Sequence, residues 1–208
     1  MKKVRARNKK WALPFINAHK DIVINSIDDP SFFHSPLYLE IGTGKGGFIL
    51  NMPLLVKGHY LGIEKDSSIL AIAARKAFES NNKEVKFLWG DFDKLFPLIE
   101  KLRFDGIYLN FSDPWPKLKH HKRRLTYGPR LSNIASLLNK GGLIYIKTDN
   151  ADLFSFTIEE AKKIDLEIVS KDDNYQLNEL DVETEYEKSF REMGVSIHRL
   201  ILRKKENN

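Results

Sequence analysis

From residue 37 onward the chain alternates short apolar runs with longer amphipathic stretches. This alternation restricts the fold more than any other feature. The apolar runs predict strands at Leu37–Ile41, His59–Ile63, Val85–Leu88, Phe104–Phe111, Leu143–Thr148, Leu166–Val169 and Val195–Leu202. The stretches between them predict helices at Phe48–Val56, Ser67–Glu79, Phe92–Lys101, Pro129–Leu138 and Ala151–Lys163. Strands separated by helices build βαβ units, so the expected fold class is α/β with a mostly parallel sheet. The last strand differs. Val195–Leu202 follows a polar, acidic stretch and alternates like an antiparallel strand with one wetter face. Residues 1–36 precede the first strand as a basic arm and a short helix. No linker interrupts the interior, so residues 1–208 are expected to form a single domain.

Parallel strands share one direction, so the residues that follow them gather at one edge of the sheet. Glu40, Glu64, Asp91, Asp113 and Asp149 each follow a successive strand, at intervals of 24, 27, 22 and 36 residues. That places five acids along the carboxyl edge, where open α/β sheets bind their ligands. One or two of them are expected to serve as helix N-caps instead.

The glycine loop after the first strand narrows the choice of ligand. Gly42, Gly44 and Gly47 satisfy G-x-G-x-x-G, with acidic Glu64 22 residues beyond Gly42. This is also the dinucleotide fingerprint, so an NAD-dependent oxidoreductase is the first rival. Charge opposes it. Glu40 stands two residues before Gly42, where a pyrophosphate would meet a carboxylate. S-adenosylmethionine has no phosphate and carries a sulfonium and an ammonium, which acids favour. Glu64 then accepts hydrogen bonds from the ribose hydroxyls, and Asp91 reaches the adenine amino group. A P-loop is excluded, because no Gly-Lys-Ser/Thr closes the turn.

Charge also points to a partner. Lys and Arg number 34 against 28 Asp and Glu, a formal +6. Six cations fall in the first ten residues and six more in residues 115–130, which leaves −6 on the remainder. The second segment interleaves Trp115, His120, His121 and Tyr127 with Lys117, Lys119, Lys122, Arg123, Arg124 and Arg130, as suits a nucleic acid with unpaired bases. It begins directly after Asn110-Phe-Ser-Asp113-Pro-Trp-Pro116, whose two prolines stiffen the turn leaving the fourth strand. The acceptor is therefore expected in a nucleic acid. No cysteine is present, which excludes disulfides, thiolate metal sites and cysteine nucleophiles. No metal site is expected at His120-His121, since neighbouring loop residues rarely aim at one ion. No apolar run is long enough for a membrane, and the short stretch from Trp11 with its Pro14 does not read as a secretion signal. A cytoplasmic location is expected.

These residues resemble one family, the bacterial tRNA (guanine-N7)-methyltransferases. The matching stretches are Arg7-Asn-Lys-Lys-Trp11, Leu39-Glu-Ile-Gly-Thr-Gly-Lys-Gly-Gly47, Gly62-Ile-Glu64, Asn110-Phe-Ser-Asp-Pro-Trp-Pro-Lys117, His121-Lys-Arg-Arg-Leu125, Lys147-Thr-Asp149 and Thr184-Glu-Tyr-Glu187. The resemblance implies a Rossmann-like, seven-stranded S-adenosylmethionine-dependent methyltransferase sheet. It implies methyl transfer to guanine N7 in the tRNA variable loop, at position 46 by tRNA convention. Its cofactor acids fall on Glu40, Glu64, Asp91 and Asp113, beside Gly42 and Gly44, and its active-site acid on Asp113. Its substrate contacts fall on Lys117, Asp149, Thr184, Glu185, Tyr186 and Glu187, and its RNA-contact loop on Lys119 to Arg124. A monomer or homodimer is expected. Two alternatives remain beside the NAD reading. One is a methyltransferase for another RNA site or an exocyclic amine, since Asp113-Pro-Trp is loosely similar to the proline-aromatic turn of amino-methylating enzymes. The other is a non-catalytic RNA-binding protein.

Overall fold

The computed structural model of the protein describes residues 9–205, so the first eight residues of the expected basic arm lie outside it. Eight strands form one sheet: β1 (Val23–Ile24), β2 (Leu37–Ile41), β3 (His59–Glu64), β4 (Val85–Trp89), β5 (Phe104–Asn110), β6 (Leu138–Thr148), β7 (Leu166–Asp172) and β8 (His198–Lys204). Their order is β1-β4-β3-β2-β5-β6-β8-β7. Every pairing is parallel except those of β8, which runs antiparallel to β6 and to β7. The mostly parallel sheet with an antiparallel last strand is as expected, with one strand more than seven. The extra strand is β1. Two residues give no periodicity to read, and β1 exists because Val23 and Ile24 pair with Phe87 and Leu88 of β4.

The helices are α1 (Ala12–Ala18), α2 (Met52–Leu55), α3 (Ser67–Glu79), α4 (Phe92–Ile99), α5 (Gly128–Ser136), α6 (Ala151–Lys163) and α7 (Glu185–Glu192). Two apolar layers sandwich the sheet. On one face Ala12 and Ile16 of α1, Met52 of α2 and Leu70, Ala71 and Ala74 of α3 pack with Tyr60, Phe87 and Tyr108. On the other, Phe92 and Ile99 of α4, Leu131 and Ile134 of α5 and Phe154 and Ala161 of α6 cover Leu39, Ile63, Leu109 and Ile146. Opposite faces bury alternate residues of the same strands, which is why the central strands read as nearly continuous apolar runs.

The caps explain the two helices whose bounds match expectation. Asp66 accepts from the amides of Ser68 and Ile69 at the start of α3, and Asn150 accepts from Leu153 N at the start of α6. The predicted helix Phe48–Val56 shrinks to α2, because its first turn is still completing the glycine loop: Leu50 N donates to Gly46 O. β6 begins five residues earlier than predicted, at Leu138. It carries Gly141 at φ +77°, and its register against β5 shifts between Phe104 and Gly106. Among the described residues no helix is long and apolar enough to cross a membrane.

Candidate active site

The register of the sheet decides which side chains meet. Glu40 pairs with Gly62 and Tyr108, Glu64 with Trp89, and Asn110 with Lys147. Residues two apart on a strand share a face. Lys147, Asn110, Glu40, Glu64 and Trp89 therefore line one face at the carboxyl ends of β6, β5, β2, β3 and β4. The five acids expected along this edge are all brought to it. Asp91 also caps α4, accepting from Asp93 N at 3.0 Å. Asp149 directly follows β6 and is half-buried.

The loop between β2 and α2 makes its turn with Gly42 at φ +86° and Gly44 at φ +56°, and a Cβ at either position would meet open space. These glycines are required by backbone conformation and leave room beside the chain. Gly42 N and Thr43 N both donate to Ile63 O, tying the loop to β3. Glu64 adds a side-chain tie. Its Oε2 accepts from Gly44 N at 3.1 Å and its Oε1 from Asp66 N at 2.9 Å. Each carboxylate oxygen can accept a second bond, so Glu64 can still receive a pair of hydroxyls.

Glu40 is 2% exposed. Its Oε1 accepts from Asn110 Nδ2 at 2.9 Å. Glu40 Oε2, Asn110 Oδ1 and Thr43 Oγ1 are buried and have no hydrogen-bond partner. Burial, with the Glu64 carboxylate adding to it, pushes the Glu40 carboxyl up to about 8, against the opposing pull of Asn110, Lys147 and the nearby Ile49 amide. The free oxygens of Glu40 and Asn110, two residues joined to each other, need a donor, and preferably a cationic one. The ammonium of an amino-acid group fits. A pyrophosphate brings only acceptors and negative charge, so the NAD reading finds no support here. The residues present fit S-adenosylmethionine: Glu40, Asn110 and Thr43 for its amino-acid end, Glu64 for the ribose.

The turn after β5 forms the other wall. Phe111 has φ +52° and Trp115 φ +41°, a region that bulky residues rarely occupy. Such strain persists where the surroundings over-determine it. Phe111 N donates to Lys147 O, and Arg124 Nε donates to Pro114 O at 2.8 Å. Asp113 Oδ2 lies 3.2 Å from Lys65 Nζ. Beyond the turn a 3-10 helix, Leu118–Arg123, holds Lys119, Lys122 and Arg123 exposed. Lys117 precedes it, also exposed. Arg123 lies over the Trp115 ring at 5.0 Å, and His120 meets that ring edge-on. His121 is half-buried and packs edge-on against Phe156. Arg124 departs from the expected RNA contact. Its side chain has no exposed surface, pairs with Asp152 and lies over Phe156. It braces the strained turn from beneath rather than reaching outward.

The segment Thr184–Glu187 forms the start of α7. Thr184 Oγ1 accepts from Glu187 N at 2.9 Å. Thr-x-x-Glu is the capping-box pattern, a signal in the sequence that could have located this helix. Glu187 has no exposed surface. Its carboxylate receives Lys147 Nζ at 2.8 Å and Arg191 Nη2 at 2.6 Å. Lys147, 3% exposed, also donates to Asp181 and to Val182 O. Thr184 and Glu187 are thus occupied in holding α7 against β6, which departs from the direct substrate contact expected of them. Glu185 and Tyr186 remain exposed. Glu185 pairs with Lys76 at 3.0 Å and with Lys45 of the glycine loop at 3.6 Å, and a Cβ on Gly47 would come within 3.3 Å of its Cγ. The segment expected to meet substrate therefore leans on the loop expected to meet cofactor. Lys147, Asn110 and Thr43 were not singled out from the sequence as individual site residues. Among the described residues no group of three or more His, Asp or Glu is placed to hold a metal ion.

Residues 34–200 match the family model described as "Putative methyltransferase". A protein of Macrococcus caseolyticus named tRNA (guanine-N(7)-)-methyltransferase is 38% identical over 211 residues, spanning 95% of this chain and 98% of its own. A protein of the same name from Oenococcus oeni is 38% identical over 209 residues, spanning 92% and 95%. Among solved structures, an rRNA methylase from Streptococcus thermophilus aligns with a TM-score of 0.57 at 10% identity, over 98% of this chain and 99% of that one, a likeness of fold alone.

Proposed function

We propose that this chain, which belongs to the family of bacterial tRNA (guanine-N7-)-methyltransferases, moves a methyl group from S-adenosylmethionine to N7 of a guanosine in the tRNA variable loop, position 46 by tRNA convention. The observation that carries the reading is the cluster of buried, unpartnered atoms at Glu40, Asn110 and Thr43, beside a glycine loop tied down by Glu64. When bound, S-adenosylmethionine supplies an electrophilic methyl carbon on a positive sulfur. Glu40 and Asn110 hold the ammonium end, Glu64 orients the ribose, and Asp91 receives the adenine amine.

Guanine N7 offers a lone pair and carries no proton, so no general base is needed. The work of the chain is orientation, which contributes up to about 7–11 kcal/mol where reacting atoms are held in line, together with electrostatics. Asp113, at the strained turn, faces the positive charge that develops on the purine and stabilises it as a fixed carboxylate. Asp149 lies on the same edge and adds to that field. Glu185 and Tyr186, exposed at the start of α7, are placed to meet the guanine, whose N1–H and exocyclic amine are donors. Lys117, Lys119, Lys122 and Arg123, with His120 and His121 beside them, take the phosphates and bases of the flanking RNA. A tRNA substrate implies a cytoplasmic location.

The test is direct. The protein is incubated with unmodified tRNA and methyl-labelled S-adenosylmethionine, and the tRNA is digested to nucleosides. Label in 7-methylguanosine, mapped to position 46, supports the reading. Label in another nucleoside moves the activity to a different RNA site, and absence of transfer removes it.

A further inference from the structure

The carboxyl edge carries one large side chain that neither the fold nor the proposed chemistry uses. Trp89, the last residue of β4, is 45% exposed. An exposed indole at a ligand-binding edge calls for a partner, because tryptophan is among the residues most stabilised by burial. Three relations constrain that partner.

The first is register. Trp89 stands directly beside Glu64 and on the same face. The second is the order of strands. Asn110, Glu40, Glu64 and Trp89 sit on β5, β2, β3 and β4, which are successive neighbours in the sheet. Strands lie about 4.8 Å apart, so these four positions span about 14 Å across the edge. They also run in a chemical order: acceptors for an ammonium, an acid for a ribose, then an aromatic plane. An amino acid joined to a nucleoside has the same order, with its base at the far end. The third is the indole's own setting. Trp89 Nε1 donates to Lys65 O at 3.2 Å, which anchors the ring beside the segment that follows Glu64. Among the described residues, Trp11 carries Lys9 and Arg75 over its ring and Trp115 carries Arg123, while no cation or aromatic ring covers Trp89.

We infer that Trp89 is the stacking platform for the adenine ring of the methyl donor, a base-binding residue additional to Asp91. This rests on the proposed methyl-donor reading and extends it. Asp91 supplies an acceptor for the exocyclic amine, and Trp89 supplies the plane against which the ring lies.

The experiment compares wild type, Trp89→Ala and Trp89→Phe. Calorimetry measures affinity for S-adenosylhomocysteine and for 5′-methylthioadenosine, which keeps the adenosine and lacks the amino-acid end. Filter binding measures affinity for tRNA, and melting of the unliganded proteins verifies folding. Trp89→Ala should weaken both nucleosides by a similar factor, about tenfold or more. Trp89→Phe should recover most of that loss, with tRNA affinity and melting temperature little changed. Intact nucleoside binding by Trp89→Ala overturns the inference while leaving the donor reading in place. Loss of tRNA affinity with nucleoside binding intact overturns it as well, because the indole would then be receiving an RNA base. Failure of wild type to bind either nucleoside overturns the donor reading and this inference with it.

Discussion

Glu40→Gln is expected to make the unliganded protein more stable at alkaline pH and to weaken the cofactor site. Burial raises the Glu40 carboxyl from its ordinary 4.5 to about 8. An acid raised in this way holds its proton more tightly folded than unfolded. Its contribution to stability is therefore undiminished below 4.5, falls as the pH climbs, and levels off above about 8. Each pH unit in that window costs about 1.4 kcal/mol, so the whole window amounts to on the order of 5 kcal/mol as an upper figure. Glutamine stays neutral and can keep the bond from Asn110. The melting temperatures of wild type and Glu40→Gln should thus coincide near pH 5 and diverge by several degrees at pH 9, with the variant higher.

Ligand binding should show the reverse. Between pH 6 and 8, pairing Glu40 with an ammonium releases a proton, so wild-type affinity for S-adenosylhomocysteine should rise close to tenfold per pH unit. Above about 8, where Glu40 is already ionised in the free protein, the rise should level off. Glu40→Gln should bind at least tenfold more weakly at pH 8 and lose the rising limb. Thermal melts without ligand and calorimetry across pH test both halves. Parallel stability profiles for the two proteins, or a flat wild-type affinity from pH 6 to 8, would refute the assignment.

Other outcomes follow from the neighbouring groups. Neutralising Lys119, Lys122 and Arg123 should lower tRNA affinity and flatten its salt dependence by about 0.7–0.9 in log–log slope for each phosphate that is no longer neutralised. Arg124→Gln, one residue along, should instead destabilise the fold by about 2–3 kcal/mol in denaturant titrations, since its bonds brace the 110–116 turn. Asp113→Asn should lower the single-turnover methylation rate tenfold or more while tRNA affinity changes little; a collapse of affinity with normal chemistry would contradict an electrostatic role. Lys147→Met leaves Glu187 a buried, partly unpaired acid with half-buried Asp181 beside it and should cost about 3–5 kcal/mol by chemical unfolding.

The sequence displayed the sheet because each central strand and its following helix carry their own pattern. Ser67–Glu79 and Ala151–Lys163 are legible to the residue, each with an Asp or Asn cap and a regular apolar stripe. The edge acids were legible for the same reason, since a parallel strand delivers its next residue to a fixed place. Roles that depend on tertiary contacts were not. Arg124 and Arg123 are adjacent cations with identical local context, and only packing against Phe156 and Pro114 turns one inward. Glu187 reads as one more acid in a polar stretch until Lys147, forty residues earlier, is seen to meet it. Asn110 and Thr43 are ordinary polar residues in the sequence, and only the fold buries their oxygens without partners.

The two-residue strand β1 closes one side of the sheet. It occupies the outer side of β4, whose backbone would otherwise form an open sheet edge, a template for pairing with other chains. The opposite edge is β7, whose Glu167, Lys171 and Asp172 discourage such pairing by charge. A deletion confined to residues 1–8 removes Lys2, Lys3, Arg5 and Arg7 while keeping the bond from Lys9 N to Ser68, and it reports on polyanion binding. A deletion that extends past Ile24 uncovers β4 and also strips α1 from the apolar layer it covers, and the protein should then self-associate in sedimentation at concentrations where the shorter deletion does not. The region before β2 thus doubles as a guard against aggregation.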